Sequence, residues 1–135
     1  MNFSDEFQNG ETLLRGILNK PDFWKDKENR PSSAAFKDSR GGTSVNRTGK
    51  TREYYNESLE QLKTSEKGKY FRAIAEVEVV LCESLELHLK YCPIKDKIDM
   101  EDNIYHSEIH TPSFFTKNRE KRALQELAKE CKIIA

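Results

Sequence analysis

Net charge is missing from this chain: its 135 residues carry 23 Lys and Arg against 23 Asp and Glu. Global electrostatics therefore select no class of partner. Long apolar runs are missing too, and nothing approaches the ~18 residues of a bilayer span. The opening Met-Asn-Phe-Ser-Asp-Glu has neither the basic nor the apolar region of a secretory leader. Cysteine is sparse: Cys82, Cys92 and Cys131 form an odd count without paired spacing. That argues against a disulfide framework and for reduced thiols in a cytosol. The Asn-Arg-Thr at Asn46 and Asn-Glu-Ser at Asn56 then carry no glycosylation signal. A cytoplasmic protein without membrane attachment is expected.

What is present is a highly charged chain of modest apolar content, 34% against 36%. This length fits one domain and can bury on the order of two-thirds of its unfolded surface, enough for a thin core. Charge is distributed unevenly. Residues 11–52 hold ten cations and five anions (+5), residues 70–112 four and nine (−5), and residues 113–135 six and three (+3). Internal neutralisation is the simplest use of such blocks.

Periodicity gives the elements. Residues 1–10 are polar and read as a loose N-terminal segment, leaving 11–135 as a single globular domain. Leu13, Leu14, Ile17 and Leu18 have helical spacing, but Gly16 weakens that reading and a short strand fits equally. Ser33–Lys37 and Thr43–Arg47 alternate as two short strands joined by the Gly-Gly turn at 41–42. Arg52–Ser65 reads as a helix with Tyr55, Leu59 and Leu62 as its buried stripe. Phe71–Val79 is a strand by its β-branched and aromatic content. Glu86–Tyr91 and Ile104–Thr111 alternate as half-exposed strands, and Cys82–Leu85 fits either a turn or one helical turn. Lys117–Lys132 is a helix burying Leu124, Leu127, Ala128 and Cys131. The sum is α+β: a small, mostly antiparallel sheet with a middle helix and a C-terminal helix packed on it.

Chemistry concentrates between Arg30 and Arg47, where Arg30, Lys37, Arg40 and Arg47 mix with Ser32, Ser33, Ser39 and Ser44. Guanidinium forks beside hydroxyls suit phosphate or carboxylate. Phe23, Trp24, Phe36 and Tyr54 could stack on a base. A solvated basic loop is the plain alternative. Ser44-x4-Gly49-Lys50-Thr51 lacks the first glycine of a phosphate-binding loop, so a turn entering a helix explains it. His106 and His110, with Glu108 between them, lie on one face of a strand but roughly 13 Å apart, too far to share one ion. No metal or cofactor is expected. Ser32 or Ser33 would need His106 as a base to act as a nucleophile, and no nucleophile elbow is present. The cations from Lys117 to Arg122 open a helix where anions are favoured, and the acidic 96–102 loop is their simplest partner.

The segments Leu13-Leu14-Arg15-x-Ile17, Arg30-Pro31-Ser32-Ser33-Ala34-Ala35-Phe36, Thr43-Ser44-Val45-Asn46-Arg47 and Ile104-Tyr105-His106-Ser107-Glu108-Ile109, followed by a basic C-terminal helix, resemble a group of small hypothetical bacterial proteins. The resemblance runs from residue 13 onward and implies one compact domain with Arg15, Arg30, Ser33, Phe36, Ser44 and His106 at matching positions. Leu14 stands where that group has an aromatic, and Asn46 where it has an aspartate. It brings no activity with it.

The functional expectation is a small cytosolic bacterial binding or accessory protein. Its anion pocket would be built from Arg15, Arg30, Ser32, Ser33, Arg47 and His106, for a phosphorylated small molecule such as a nucleotide, or an RNA end. A place in a phage-defence or toxin-control system, with a protein partner from the same operon, belongs to the same expectation. Two alternatives stand beside it. One is a small transferase or hydrolase on a nucleotide-type substrate, with His106 in reach of Ser33. The other is a module that binds only protein, through a strand edge or the C-terminal helix.

Overall fold

A computed structural model describes residues 3–37 and 42–135. Among the described residues eight strands are formed: β1 (Thr12–Leu18), β2 (Trp24–Lys25), β3 (Arg30–Pro31), β4 (Gly42–Arg47), β5 (Phe71–Glu78), β6 (His88–Tyr91), β7 (His106–His110) and β8 (Lys132–Ile133). Helices α1 (Arg52–Thr64), α2 (Val79–Ser84) and α3 (Lys117–Glu130) connect them. Six strands form one antiparallel sheet in the order β6-β7-β4-β1-β5-β8, and β2 and β3 pair separately. The fold is α+β, with the middle and C-terminal helices where the sequence puts them.

Register assigns every side chain to a face. Leu13 lies opposite both Arg47 and Val77, and Thr43 opposite Ile109. Leu13, Arg15, Ile17, Val45, Arg47, Ala75, Val77 and Ile109 therefore share one face, because strand side chains alternate. Most of them join Phe36, Cys82, Leu124 and Leu127 in the main core. The last two leucines each contribute about 1.5–3 kcal/mol by burial. Leu14, Ser44, Asn46, Glu76, His106 and Glu108 take the opposite face. There α1 lies over β4, where Asn46 Nδ2 donates to the Ser58 carbonyl (3.1 Å) and to Gln61 Oε1 (2.8 Å). A strand covered on both sides explains why the adjacent Leu13 and Leu14 are both fully buried, a pattern that imitates helical spacing.

Both long helices start at threonine caps: Thr51 Oγ1 accepts from the Tyr54 amide and Thr116 Oγ1 from the Arg119 amide, each at 3.1 Å. Such a cap stabilises by about 1 kcal/mol. Thr51 thus begins a helix, as the turn reading of Gly49-Lys50-Thr51 requires. The Gly49 amide donates to Glu11 Oε2 at 2.9 Å, so an internal carboxylate occupies the place a phosphate would need.

Four expectations change. Ser33–Phe36 is a 3-10 turn instead of a strand. Ala35 and Phe36 are consecutive and both buried, and the turn lets both enter the core beneath α3, whereas a strand would send them to opposite sides. The C-terminal helix stops at Glu130, and the next residues add β8 to the edge of β5, with Ile133 opposite Ala75. The N-terminal segment expected to be loose is tied down at Phe3, whose ring meets Tyr54, Tyr91 and Tyr105 edge-on, although Ser4–Glu6, Asn9 and Gly10 are exposed. Arg119 pairs with Glu86 (3.0 Å) and stacks on Phe115, so the α3 cations do not reach for the 96–102 loop through this residue.

Candidate functional site

The six residues expected to form one anion pocket do not share one. Arg47 is buried, 1% exposed, and grips the equally buried Glu11. Its Nε donates to Glu11 Oε2 (2.8 Å) and its Nη2 to Oε1 (2.9 Å). Nη1 donates to the Ser4 carbonyl (2.6 Å) and Nη2 also to that of Glu6 (3.2 Å). The rings of Phe7, Phe3 and Tyr91 close round the guanidinium at 4.2, 4.6 and 4.9 Å. Burial pushes the Glu11 carboxyl up, but hydrogen bonds from Arg47 and the Gly49 and Gln8 amides outweigh it, leaving the pKa below the ordinary value. This pair anchors the N-terminal segment and offers no edge to a ligand.

Arg15 points to the same face as Arg47. Its Nε donates to the Ala35 carbonyl (3.0 Å) and its Nη1 to that of Ser44 (2.9 Å), tying the 3-10 turn to β4. His106 lies on the opposite face, because it pairs with Asn46 and not with Arg47. The two still communicate through one residue: the Ser44 hydroxyl is 3.3 Å from His106 Nε2 while its carbonyl holds Arg15. The imidazole meets Ser44 and Cys92 and not Ser33, so the serine–histidine pairing of a hydrolase is not formed.

Arg30 and Ser33 do come together. They line a cleft of about 290 Å³ between β3 and α3, with Lys25, Pro31, Gln125, Glu126, Ala128 and Lys129. Three cations and one carboxylate line it, and one of the cations, Lys25, pairs with Glu28 outside the lining (3.5 Å). Arg30 Nη2 also donates to the exposed Glu28 at 3.0 Å. Ser32 lies beside the cleft, its hydroxyl donating to the Asp22 carbonyl. Ser39, Arg40 and Gly41 fall outside the described residues.

A second cluster adds Cys92 to His106, Glu108 and His110, the group whose metal reading the strand spacing argues against. On the face not covered by the core, three cross-strand rows stack side by side: Cys92–His106–Asn46, Lys90–Glu108–Ser44 and His88–His110–Gly42. The first row extends the β6–β7 ladder by one step, with the Cys92 amide donating to the His106 carbonyl at 3.2 Å. His106 Nδ1–H donates to the Cys92 carbonyl (2.9 Å), and the Cys92 Sγ sits 3.5 Å from the same nitrogen. In the neutral ring Nε2 then accepts from Ser44. His110 Nε2 donates to Glu108 Oε1 at 2.8 Å. Gly42 makes the floor: a methyl group there would lie 2.7 Å from His110 Nε2 and 2.8 Å from Glu108 Oε1. Burial, reinforced by Glu108, pushes the Cys92 thiol up to about 11, so unaided it holds no reactive thiolate at neutral pH.

Part of this was within reach of the sequence. Alternation places His106, Glu108 and His110 on one face, but Cys92 joins them only through the β6–β7 register, which the connection from 92 to 105 conceals. Among the described residues no helix is long and apolar enough to cross a membrane. Comparison with family models, curated proteins and solved structures finds nothing that matches this chain.

Proposed function

We propose that the chain is a small cytosolic binding or accessory protein that takes the phosphate of a nucleotide or RNA end into the cleft between β3 and α3. The observation that carries this reading is the meeting of Arg30 and Ser33 in one concavity, with Lys25 and Lys129 adding positive charge at its walls. A volume of about 290 Å³ is at the small end for ligand pockets and suits a phosphate with its sugar better than a whole dinucleotide. Arg30 brings a planar fork suited to two phosphate oxygens. Its present partner Glu28 is an exposed carboxylate, and exposed ion pairs are weak enough for an anion to displace. Ser33 supplies a hydroxyl donor from the first position of its turn. The three thiols are unbridged, in keeping with a reducing compartment. Binding is favoured over catalysis because neither Ser33 nor Cys92 has an activated form here.

Thermal unfolding with inorganic phosphate, mononucleotides and a 5′-phosphorylated oligoribonucleotide tests the reading. A ligand at about a hundredfold excess over its Kd stabilises by ~2.7 kcal/mol. That shift is expected with the wild type and is expected to vanish in Arg30→Ala and shrink in Ser33→Ala. Absence of any shift across the panel, or a shift that survives Arg30→Ala, removes the reading.

A further inference from the structure

Three side chains on the sheet face opposite the main core bring a sulfur, an imidazole nitrogen and a carboxylate oxygen within 4.8 Å of one another: Cys92, His106 and Glu108. Among the described residues no other group of three potential ligands does so. Tetrahedral zinc bound through sulfur at about 2.3 Å and through nitrogen and oxygen at about 2.0–2.2 Å separates its ligand atoms by roughly 3.4–3.6 Å. The Cys92 Sγ and His106 Nδ1 already stand 3.5 Å apart. The separations to Glu108, none above 4.8 Å, need to close by at most a little over ~1 Å for that geometry, a side-chain adjustment on a half-exposed strand.

We propose that Cys92, His106 and Glu108 form a binding site for a zinc-class divalent transition metal, with the fourth position open to water or a ligand donor. The thiolate and imidazole select this class over magnesium or calcium, which take oxygen ligands. The surrounding residues are those such a site requires. His110 donates to Glu108 and fixes the carboxylate, as outer partners of metal ligands do. Ser44 stands 3.3 Å from His106 Nε2, so when Nδ1 ligates, Nε2–H donates to that hydroxyl and holds the ring. Gly42 leaves the space in which the Glu108–His110 pair sits. On binding, the thiol proton leaves to solvent, the ring proton passes from Nδ1 to Nε2 so that the hydrogen bond to the Cys92 carbonyl is given up, and a thiolate and a carboxylate neutralise the dication. The site lies on the opposite face of the sheet from the residues of the main core and does not depend on the Arg30 cleft.

The reduced, chelator-treated full chain is titrated with Co²⁺ and then with Zn²⁺. One Co²⁺ per chain is expected, giving the visible bands of a four-coordinate ion and a thiolate-to-cobalt charge-transfer band, both removed by Zn²⁺. Cys92→Ser is expected to abolish the charge-transfer band, His106→Ala to lower affinity at least tenfold, and His110→Ala to lower it about 10–100-fold through Glu108. Cys131→Ser and His88→Ala are expected to bind as the wild type does. Alkylation of the wild type, mapped by mass spectrometry, needs no variant: Zn²⁺ should shield Cys92 and leave Cys131 as reactive as before. A wild type without the charge-transfer band at stoichiometric cobalt overturns the proposal, as does a band that survives Cys92→Ser, or Zn²⁺ that fails to slow Cys92 alkylation.

Discussion

Strand β4 sends two polar clusters to opposite faces of one sheet, and they are built on contrary plans. On the core side, Arg47 and Glu11 are sealed from water, and both carboxylate oxygens accept two hydrogen bonds, one from the guanidinium and one from a main-chain amide. On the other side, Ser44 leads to His106, Cys92, Glu108 and His110, all half-buried and arranged with donor atoms facing one another. The first cluster has no unused valence, so its energy goes into holding residues 3–11 against the sheet. The second has room, exposure and ligand-type atoms in surplus. A strongly basic residue in the sequence is therefore a poor guide to a site until its partners are known: Arg47 fastens the fold, and the weaker-looking histidine marks the open chemistry.

The sharpest way to break this contrast is Arg47→Met, which strands the Glu11 carboxylate inside the protein. A loss of about 3–5 kcal/mol is expected in chemical denaturation. Adding Glu11→Leu should recover part of it, since replacing a whole buried pair costs less than removing one member. Asn46→Asp follows. Asn46 Nδ2 donates to Ser58 and Gln61 while its Oδ1 accepts from Asn103 Nδ2 (2.8 Å). A carboxylate would face two acceptors, and a loss of about 1–3 kcal/mol is expected in the same assay.

The pH dependence has a defined sign. Glu11 titrates below its ordinary value in the folded state. Its contribution is complete above the unfolded glutamate pKa of about 4.3 and is lost as pH falls through the folded value. Denaturation midpoints followed from pH 7 to pH 3 should therefore fall less steeply in Glu11→Gln than in the wild type, though that variant starts lower. The smallest stability change is expected for Gly42→Ala. The atoms nearest its added methyl are the far ends of Glu108 and His110, so the unfolding midpoint should shift little while Co²⁺ affinity drops several-fold. A large stability loss with unchanged metal affinity would invert the contrast.

The elements with clean periodicity were legible. Helices α1 and α3 and strands β5, β6 and β7 lie within a few residues of where alternation and apolar stripes place them. What local pattern could not supply was the environment on both sides of an element. Leu13-Leu14 looked undecided because β1 is covered on both faces, and Ala35-Phe36 looked like a strand because nothing local reveals that α3 accepts both side chains. For the candidate sites, residue chemistry was visible and convergence was not. Arg30 and Ser33 meet because they flank one corner of the chain, whereas Arg15 and His106 lie on opposite faces of the sheet and Arg47 is sealed away by parity. Cys92 reaches His106 through a hairpin register set across a 14-residue connection from 92 to 105.

Zinc-dependent unfolding compares the two clusters in a single experiment. With free Zn²⁺ at about a hundred times its Kd, the wild type should gain ~2.7 kcal/mol over the chelated protein. The Cys92→Ser/His106→Ala variant should gain nothing, while its chelated stability stays near that of the wild type because the Arg47–Glu11 anchor is untouched. An equal gain in both proteins, or none in the wild type, would contradict the assignment of metal binding to Cys92, His106 and Glu108.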